Sequence, residues 1–283
     1  MQSVRTAGQK YLSETLSPLG TTLVRYLFAA PFAVLYVLWL LGNRESTLPE
    51  PNYTFLVAGF AASILQILAT ILLVRLFALR NFAVGSCYIR TEVLATALLG
   101  LLLFSEQISG LGWFAMLVSV GGLLLITIAK SGKVTELWNI SAVYGLAAGF
   151  SLALTSLLIR QASLSFGIGE PIFTAALTLV YMVLIQTNLC LIFLLIRNAG
   201  ELRVIFRQWR ASLFVGVTSL LGSIGWFTAF TLERAAYVKT IGQLEFLVTL
   251  AISILFFKEV PNRLELSGML VLVVGIVALL LAP

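Results

Sequence analysis

The chain of 283 residues is too apolar to cover a soluble globule: hydrophobic residues make up 60% of it and charged residues 11%, against about 45–50% and about 25% in soluble domains. There is no His, and all 12 acidic residues are Glu, which excludes a Ser-His-Asp triad, a His proton relay, an HExxH zinc site and a paired-Asp protease. The net charge of +6 comes from Lys and Arg spread through short links, a pattern of headgroup contact and topology marking with no basic domain to hold nucleic acid.

A bilayer-crossing helix takes about 20 mostly apolar residues. The chain opens on a stretch too short to cross, and nine stretches of sufficient length follow: 20–41, 55–77, 82–104, 108–129, 141–162, 171–195, 211–232, 236–257 and 264–281. Turn formers such as Gly42-Asn43, Pro49-Glu50-Pro51, Ser131-Gly132 and Pro261-Asn262 punctuate the links. No link is long enough for a folded domain, so function is expected inside the bundle or at its mouths. Cys87 and Cys190 both sit in apolar runs and read as small buried hydrophobes.

The chain also repeats itself. At a constant spacing of 153, Leu79/Leu232, Ala83/Ala236, Glu92/Glu245, Thr96/Thr249, Phe104/Phe257 and Glu106/Glu259 are identical, and Pro18 falls on Pro171. Two Glu matches in one register are informative when Glu is this scarce. The expected architecture is an all-α polytopic membrane protein of two five-helix halves, residues 1–130 and 140–283. On this ten-helix plan the first helix is truncated, residues 1–9 matching only the last turns of the 141–162 helix; an interfacial helix carrying Arg5 and Lys10 is the alternative. An odd number of helices per half makes the halves insert in opposite senses, the inverted-repeat plan of secondary transporters. One side of the membrane collects 12 Lys and Arg and the other 4 (Arg44, Arg160, Arg234 and Lys239), with Arg25 and Arg90 inside spans. The richer side is expected to be cytoplasmic.

The stretches from Phe77 to Ser109 and from Phe230 to Asn262 resemble the fourth and ninth helices of EamA-type members of the drug/metabolite transporter superfamily. Ala78-Leu79 entering the helix, Thr96, and the closing Glu106 or Glu259 carry the resemblance, and Pro18 with Arg25 is similar to the start of that family's second helix. It implies a multi-pass protein of the plasma (inner) membrane that moves small metabolites, amino-acid-like compounds or drugs by alternating access, most simply as an exporter. It implies no enzyme activity, no cofactor and no metal. The family commonly has Pro where this chain has Glu92 and Glu245. A lipid-handling or flippase-like protein, or a non-transporting paralogue, are the other readings.

Glu92 and Glu245 stand near the middle of their spans, about 9–10 residues in. A carboxylate there costs about 2.5–3.5 kcal/mol even on lenient insertion scales, so it is expected to face a cavity and exchange protons or a cationic substrate. Arg90, two residues before Glu92, points to another side of the helix and is expected to reach a neighbouring helix or the headgroups. Arg25, near its span's start, is expected to snorkel; given the cost of a lone charge in lipid, the alternative for both Arg25 and Arg90 is to reach the cavity and join the binding residues. Gln66, Tyr181, Gln186, Thr187, Asn188, Ser223, Trp226 and Gln243 are the remaining polar or amphipathic residues at depth. Each singly suits an interhelical hydrogen bond; together they suit a small-molecule pocket with an aromatic wall. Glu106 and Glu259, at the membrane edge, read as helix-ending groups. Gly122, Gly145 and Gly149 suit close helix approach, and no GxxxxGK[ST] loop is present for nucleotide.

Overall fold

The computed structural model describes residues 8–9, 11–43, 48–77, 88–89, 91–131, 140–245 and 262–282. Their regular structure is helical throughout: α1 (Pro18–Leu27), α2 (Ala30–Gly42), α3 (Tyr53–Phe77), α4 (Glu92–Phe104), α5 (Gly110–Ser131), α6 (Ile140–Leu164), α7 (Pro171–Asn198), α8 (Gly200–Arg207), α9 (Trp209–Leu232), α10 (Ala235–Gly242) and α11 (Arg263–Leu280). Among the described residues, seven spans are long and apolar enough to cross a membrane: Pro18–Gly42, Tyr53–Leu76, Gly110–Ala129, Ile140–Leu164, Pro171–Asn198, Trp209–Leu232 and Arg263–Leu280. The other two expected spans, 82–104 and 236–257, are only partly described, as α4 and α10; Cys87, Arg90 and Glu259 lie outside the described residues.

Large apolar side chains point outward along these helices, Leu102, Ile196 and Leu280 among them. In water such a surface would aggregate, whereas in lipid it is the surface expected. The inside is built from small and hydroxyl residues instead. Thr22, Ser63, Thr96, Thr178 and Thr240 are buried, and each donates its hydroxyl to the carbonyl four residues earlier, at 2.7–2.8 Å. These hydroxyls are therefore satisfied within their own helices and leave the helix faces free to approach.

The chain divides into two compact units that each draw on both sequence halves: Met1–Val74 with Thr155–Leu232, and Arg75–Leu154 with Glu233–Pro283. In the first unit, α1 begins at a designed-looking stop: the Ser17 hydroxyl accepts from the Gly20 N–H (3.1 Å), and Pro18 supplies the fixed φ of the first turn. Ser17 is itself held by Glu201 on α8, which accepts from its N–H and its hydroxyl at 3.2 and 2.8 Å. α1 and α2 form one span, broken at Phe28–Ala29 because Pro31 brings no N–H to the first turn of α2. The described residues ahead of α1 include buried ones. Leu12 is fully buried among Leu23, Val24 and Val215, while Arg5 and Lys10 of the interfacial-helix alternative lie outside the described residues. Ser17→Ala is expected to lower stability by about 1–2 kcal/mol, measured as thermal unfolding in detergent, since both the cap and the Glu201 tie are lost. Thr15→Ala, which loses an exposed bond to Gln208, should change stability by less than about 0.5 kcal/mol.

The second unit contains the clearest mark of the duplication. A Cβ added to Gly122 on α5 would strike the backbone of Gly268 and Leu272 on α11, and one added to Gly275 on α11 would strike Ser119 and Ala115 on α5. Gly122/Gly275, Ala115/Gly268 and Ser119/Leu272 are all 153 apart, so the two contacts are one contact seen from both repeats. This is the self-complementary pattern of a two-fold interface. Moving forward along α5 from Ala115 to Ile126, the partner on α11 moves backward from Gly275 to Gly268, so the helices are antiparallel. A two-fold relating antiparallel membrane helices lies in the membrane plane, and the repeats are inverted.

Candidate functional site

In the first unit α1, α3, α7 and α9 surround a cleft whose polar lining is Arg25, Tyr26, Gln66, Gln186, Ser219 and Ser223. It encloses about 260 Å³ counted out to its open mouth, and its floor has room for about one water molecule. α1 and α3 belong to the first repeat, α7 and α9 to the second. The lining follows the duplication: Tyr26 is 153 residues from Leu179, and Gln66 the same distance from Ser219. Gln186 Nε2 donates to Gln66 Oε1 at 2.7 Å and to the Ser63 carbonyl at 3.4 Å. Sequence reasoning named both Gln residues, and the fold brings them together.

Arg25 does not snorkel. Its Nη1 donates to Thr70 Oγ1 at 3.2 Å, and its guanidinium lies over the Tyr26 ring, 5.4 Å from the centroid. α1 ends two residues later, so the cation also sits where unpaired carbonyls make the helix end negative. Three other expected lining residues are elsewhere in this unit. Tyr181 donates to the Leu56 carbonyl (3.1 Å) and packs on Phe55, its ring filling the space left by Gly59. Asn188 is exposed and donates to the Leu184 carbonyl of its own helix at 2.8 Å. Trp226 packs on Phe230, with ring centroids 5.4 Å apart.

In the second unit the two expected spans are interrupted just before their glutamates. Thr91 donates to the Tyr88 carbonyl three residues back (3.1 Å), and α4 starts afresh at Glu92. Gln243 makes the same turn-type bond to Thr240 (3.1 Å) and ends α10 two residues before Glu245. The Pro found here in the resembling family is absent, yet the helices still break. Gly149 on α6 supports the first break, because a Cβ there would lie 3.3 Å from the Ile89 carbonyl. α4 has 13 residues and is about 20 Å long, which puts Glu92 that far from its Ser105 end and well inside a hydrocarbon core of about 30 Å.

Glu92 forms an ion pair with Lys239 of α10, both side chains 14% exposed. The carboxylate stands on the first turn of a helix and the ammonium on the last turn of another, the ends that favour each charge. Sequence reasoning counted Lys239 as a topology marker and missed this pairing. Arg160, counted with it, caps α9 by donating to the Phe230 carbonyl at 2.7 Å. Gln243 is 6% exposed, and neither polar atom of its side chain has a hydrogen-bond partner among the described residues. Glu245 is half-buried beyond it. Glu106 closes α4 through its backbone N–H, donated to the Gly100 carbonyl at 2.9 Å, with Ser105 in the left-handed region (φ 53°).

Comparison with known proteins gives these sites a context. The profile of the EamA-like transporter family matches residues 3–128 and 139–281. The pseudopaline exporter CntI of Pseudomonas aeruginosa is 29% identical over 167 residues, which are 59% of this chain and 54% of that protein. An uncharacterised transporter of Synechocystis is 32% identical over 148 residues, 49% of this chain and 42% of that one. The chain spans about half the length of the curated relatives it matches. A solved crystal structure superposes with a TM-score of 0.71 over 99% of this chain and 91% of its own, at 12% identity, which speaks to the fold alone. With seven membrane-length spans among the described residues and a family profile matched twice, the chain belongs to the EamA-like transporter family.

Proposed function

We propose that the protein is a secondary active exporter of small metabolites, amino-acid-like compounds or drugs in the plasma (inner) membrane, working by alternating access and coupled to protons. The observation that carries this reading is the Glu92–Lys239 pair at the junction of interrupted helices. Ionisable groups at this depth serve as coupling sites in many transporters, and broken helices place them there. Neutralising Glu92 removes one counter-charge of Lys239, and this change in the pair couples protonation to the α4 and α10 ends. Gln243, one turn beyond Lys239 and with no hydrogen-bond partner for its amide among the described residues, supports the reading of this junction as polar and rearrangeable. The outward direction is taken from the relative named as an exporter.

Proteoliposomes loaded with a panel of labelled amino acids and organic acids test the proposal. Imposing a pH gradient is expected to drive counterflow in the native protein, and Glu92→Gln is expected to reduce the gradient-driven part by at least about tenfold. Unaltered gradient-driven transport in Glu92→Gln would remove this residue from coupling. Movement of fluorescent phospholipid with no solute counterflow would favour the lipid-handling alternative.

A further inference from the structure

We infer that the link between α7 and α9 is a binding site for the headgroups of anionic phospholipids, held by Arg203 and Arg207 on the outward face of α8 and flanked by Arg197 and Arg210. The inference is independent of transport. It assigns a lipid partner to a surface outside both the cleft and the Glu92–Lys239 junction.

α8 is amphipathic, and its two faces do different things. Ile205 is fully buried in one core cluster with Leu12, Leu23 and Val24, and Leu202 and Val204 pack against that cluster. Arg203 and Arg207, four residues apart, share the opposite face and are exposed. Phe206 and Trp209 are exposed beside them. The two flanking arginines each lie over an aromatic ring, Arg197 over Phe193 at 6.0 Å and Arg210 over Trp209 at 5.5 Å from the centroid. Such stacking occupies the face of a guanidinium and leaves the N–H donors at its edge available. Among the described residues none of the four arginines has a carboxylate partner. The acidic residues of this region are Glu14 and Glu201, and Glu201 accepts from Ser17 and Asn198 instead. Exposed arginines alone suit water, and exposed aromatics alone suit hydrocarbon. Both on one short helix suit the boundary between them, where phosphate oxygens meet the guanidinium and acyl chains meet the rings.

The duplication shows that the fold itself does not demand these charges. At the spacing of 153, α8 corresponds to residues 47–54, the link that contains Pro49-Glu50-Pro51. Glu50 stands where α8 has Arg203, Thr54 where it has Arg207, and Val57 where α9 has Arg210. In an inverted repeat the two links belong to opposite sides of the membrane. The basic helix is therefore a property of one repeat and one leaflet, on the Lys- and Arg-rich side expected to be cytoplasmic, where anionic lipids concentrate. A headgroup bound here would also be felt at α1. Glu201 of α8 holds Ser17, and Gln208, just after α8, donates to the Thr15 hydroxyl at 3.2 Å. Fixing α8 thus fixes the start of α1. The competing account treats the four arginines as topology markers that meet any headgroup alike.

Lipid retention separates the two. Purified protein in uncharged detergent is mixed with equal amounts of phosphatidylglycerol and phosphatidylcholine, and the lipids that stay bound are counted by native mass spectrometry. The native protein is expected to retain phosphatidylglycerol in preference. Arg203→Gln with Arg207→Gln should weaken that retention by about five- to twentyfold, the scale set by two basic residues at an anionic surface. Both side chains are exposed and lack a carboxylate partner among the described residues, so the double variant should melt like the native protein in detergent alone. Arg75→Gln with Arg263→Gln removes the same charge from exposed positions elsewhere on that side. It should change retention by less than about twofold, because scattered charges act only through a screened field. Phosphatidylglycerol should also raise the thermal midpoint of the native protein and not that of the Arg203/Arg207 variant. Glycerol 3-phosphate, which has the phosphate without acyl chains, should fail to displace the lipid. Equal retention of the two lipids, an equal loss in the Arg75/Arg263 variant, or an equal rise in midpoint in the Arg203/Arg207 variant would each overturn the assignment. Displacement by glycerol 3-phosphate would overturn it too, in favour of a soluble anion.

Discussion

Lys239→Met is expected to destabilise the protein by about 3–5 kcal/mol, the largest loss expected for a single side chain of the second unit. The substitution keeps the length and apolar stem of Lys239 but leaves Glu92 charged and without its cation in a largely buried setting. Glu92→Gln should cost less, because the long lysine stem can carry its ammonium toward water once released. The double substitution is the informative one. With both charges gone, neither member of this pair is left facing a lost counter-charge, and stability should return to within about 1–2 kcal/mol of the native protein. Thermal midpoints of the four proteins in one detergent supply the cycle. Simple addition of the two single losses would show that Glu92 and Lys239 act independently, and the coupling mechanism proposed above would lose its switch.

The second large effect is expected in the seam between α5 and α11. Gly275→Leu should cost about 3 kcal/mol or more, since the added atoms meet the backbone of Ser119 and Ala115, which cannot rotate away as a side chain would. Gly122→Leu should cost a similar amount, because the same contact recurs in the other repeat. Gly121→Ala is the control from the neighbouring position. A Cβ there meets nothing within 4 Å, and the equivalent position in α11 is already Val274. That change should stay within about 1 kcal/mol of neutral and can be stabilising through helix propensity. If Gly121→Ala and Gly275→Leu shift the thermal midpoint alike, the seam is not close-packed.

Much of this was legible in the chain itself, for reasons that can be stated residue by residue. Membrane spans are written as length and apolarity, so α3, α5, α6, α7, α9 and α11 coincide with predicted stretches to within a few residues. Inversion followed from counting helices, and the structure expresses it in the antiparallel Gly122 and Gly275 contacts. Gln66 and Gln186 were visible because amides are rare at such depth. Lys239 was not visible, since it follows Glu233-Arg234 at a span edge, where basic residues mark topology; its partner Glu92 is 147 residues away, a tertiary fact. The helix breaks at Thr91 and Gln243 were hidden by the absence of Pro, with Gly242 as the only local hint. Ser219 looked like one more serine in an apolar run. Mapping the 153-residue spacing onto Gln66 would have singled it out.

The self-complementary seam also bears on how such a chain arises. A single repeat carrying the α5 seam would recognise a second copy of itself inserted upside down, and every substitution in it would be felt twice, once from each side. Fusing the copies into one chain ends that constraint. Ala115 faces Gly275 while its counterpart Gly268 faces Gly122, and Ser119 has a leucine, Leu272, as its counterpart. Each side of the seam has thus been free to drift under the other's protection, and the same freedom allows a lone arginine, Arg25, to persist in one repeat where the other has a threonine, Thr178.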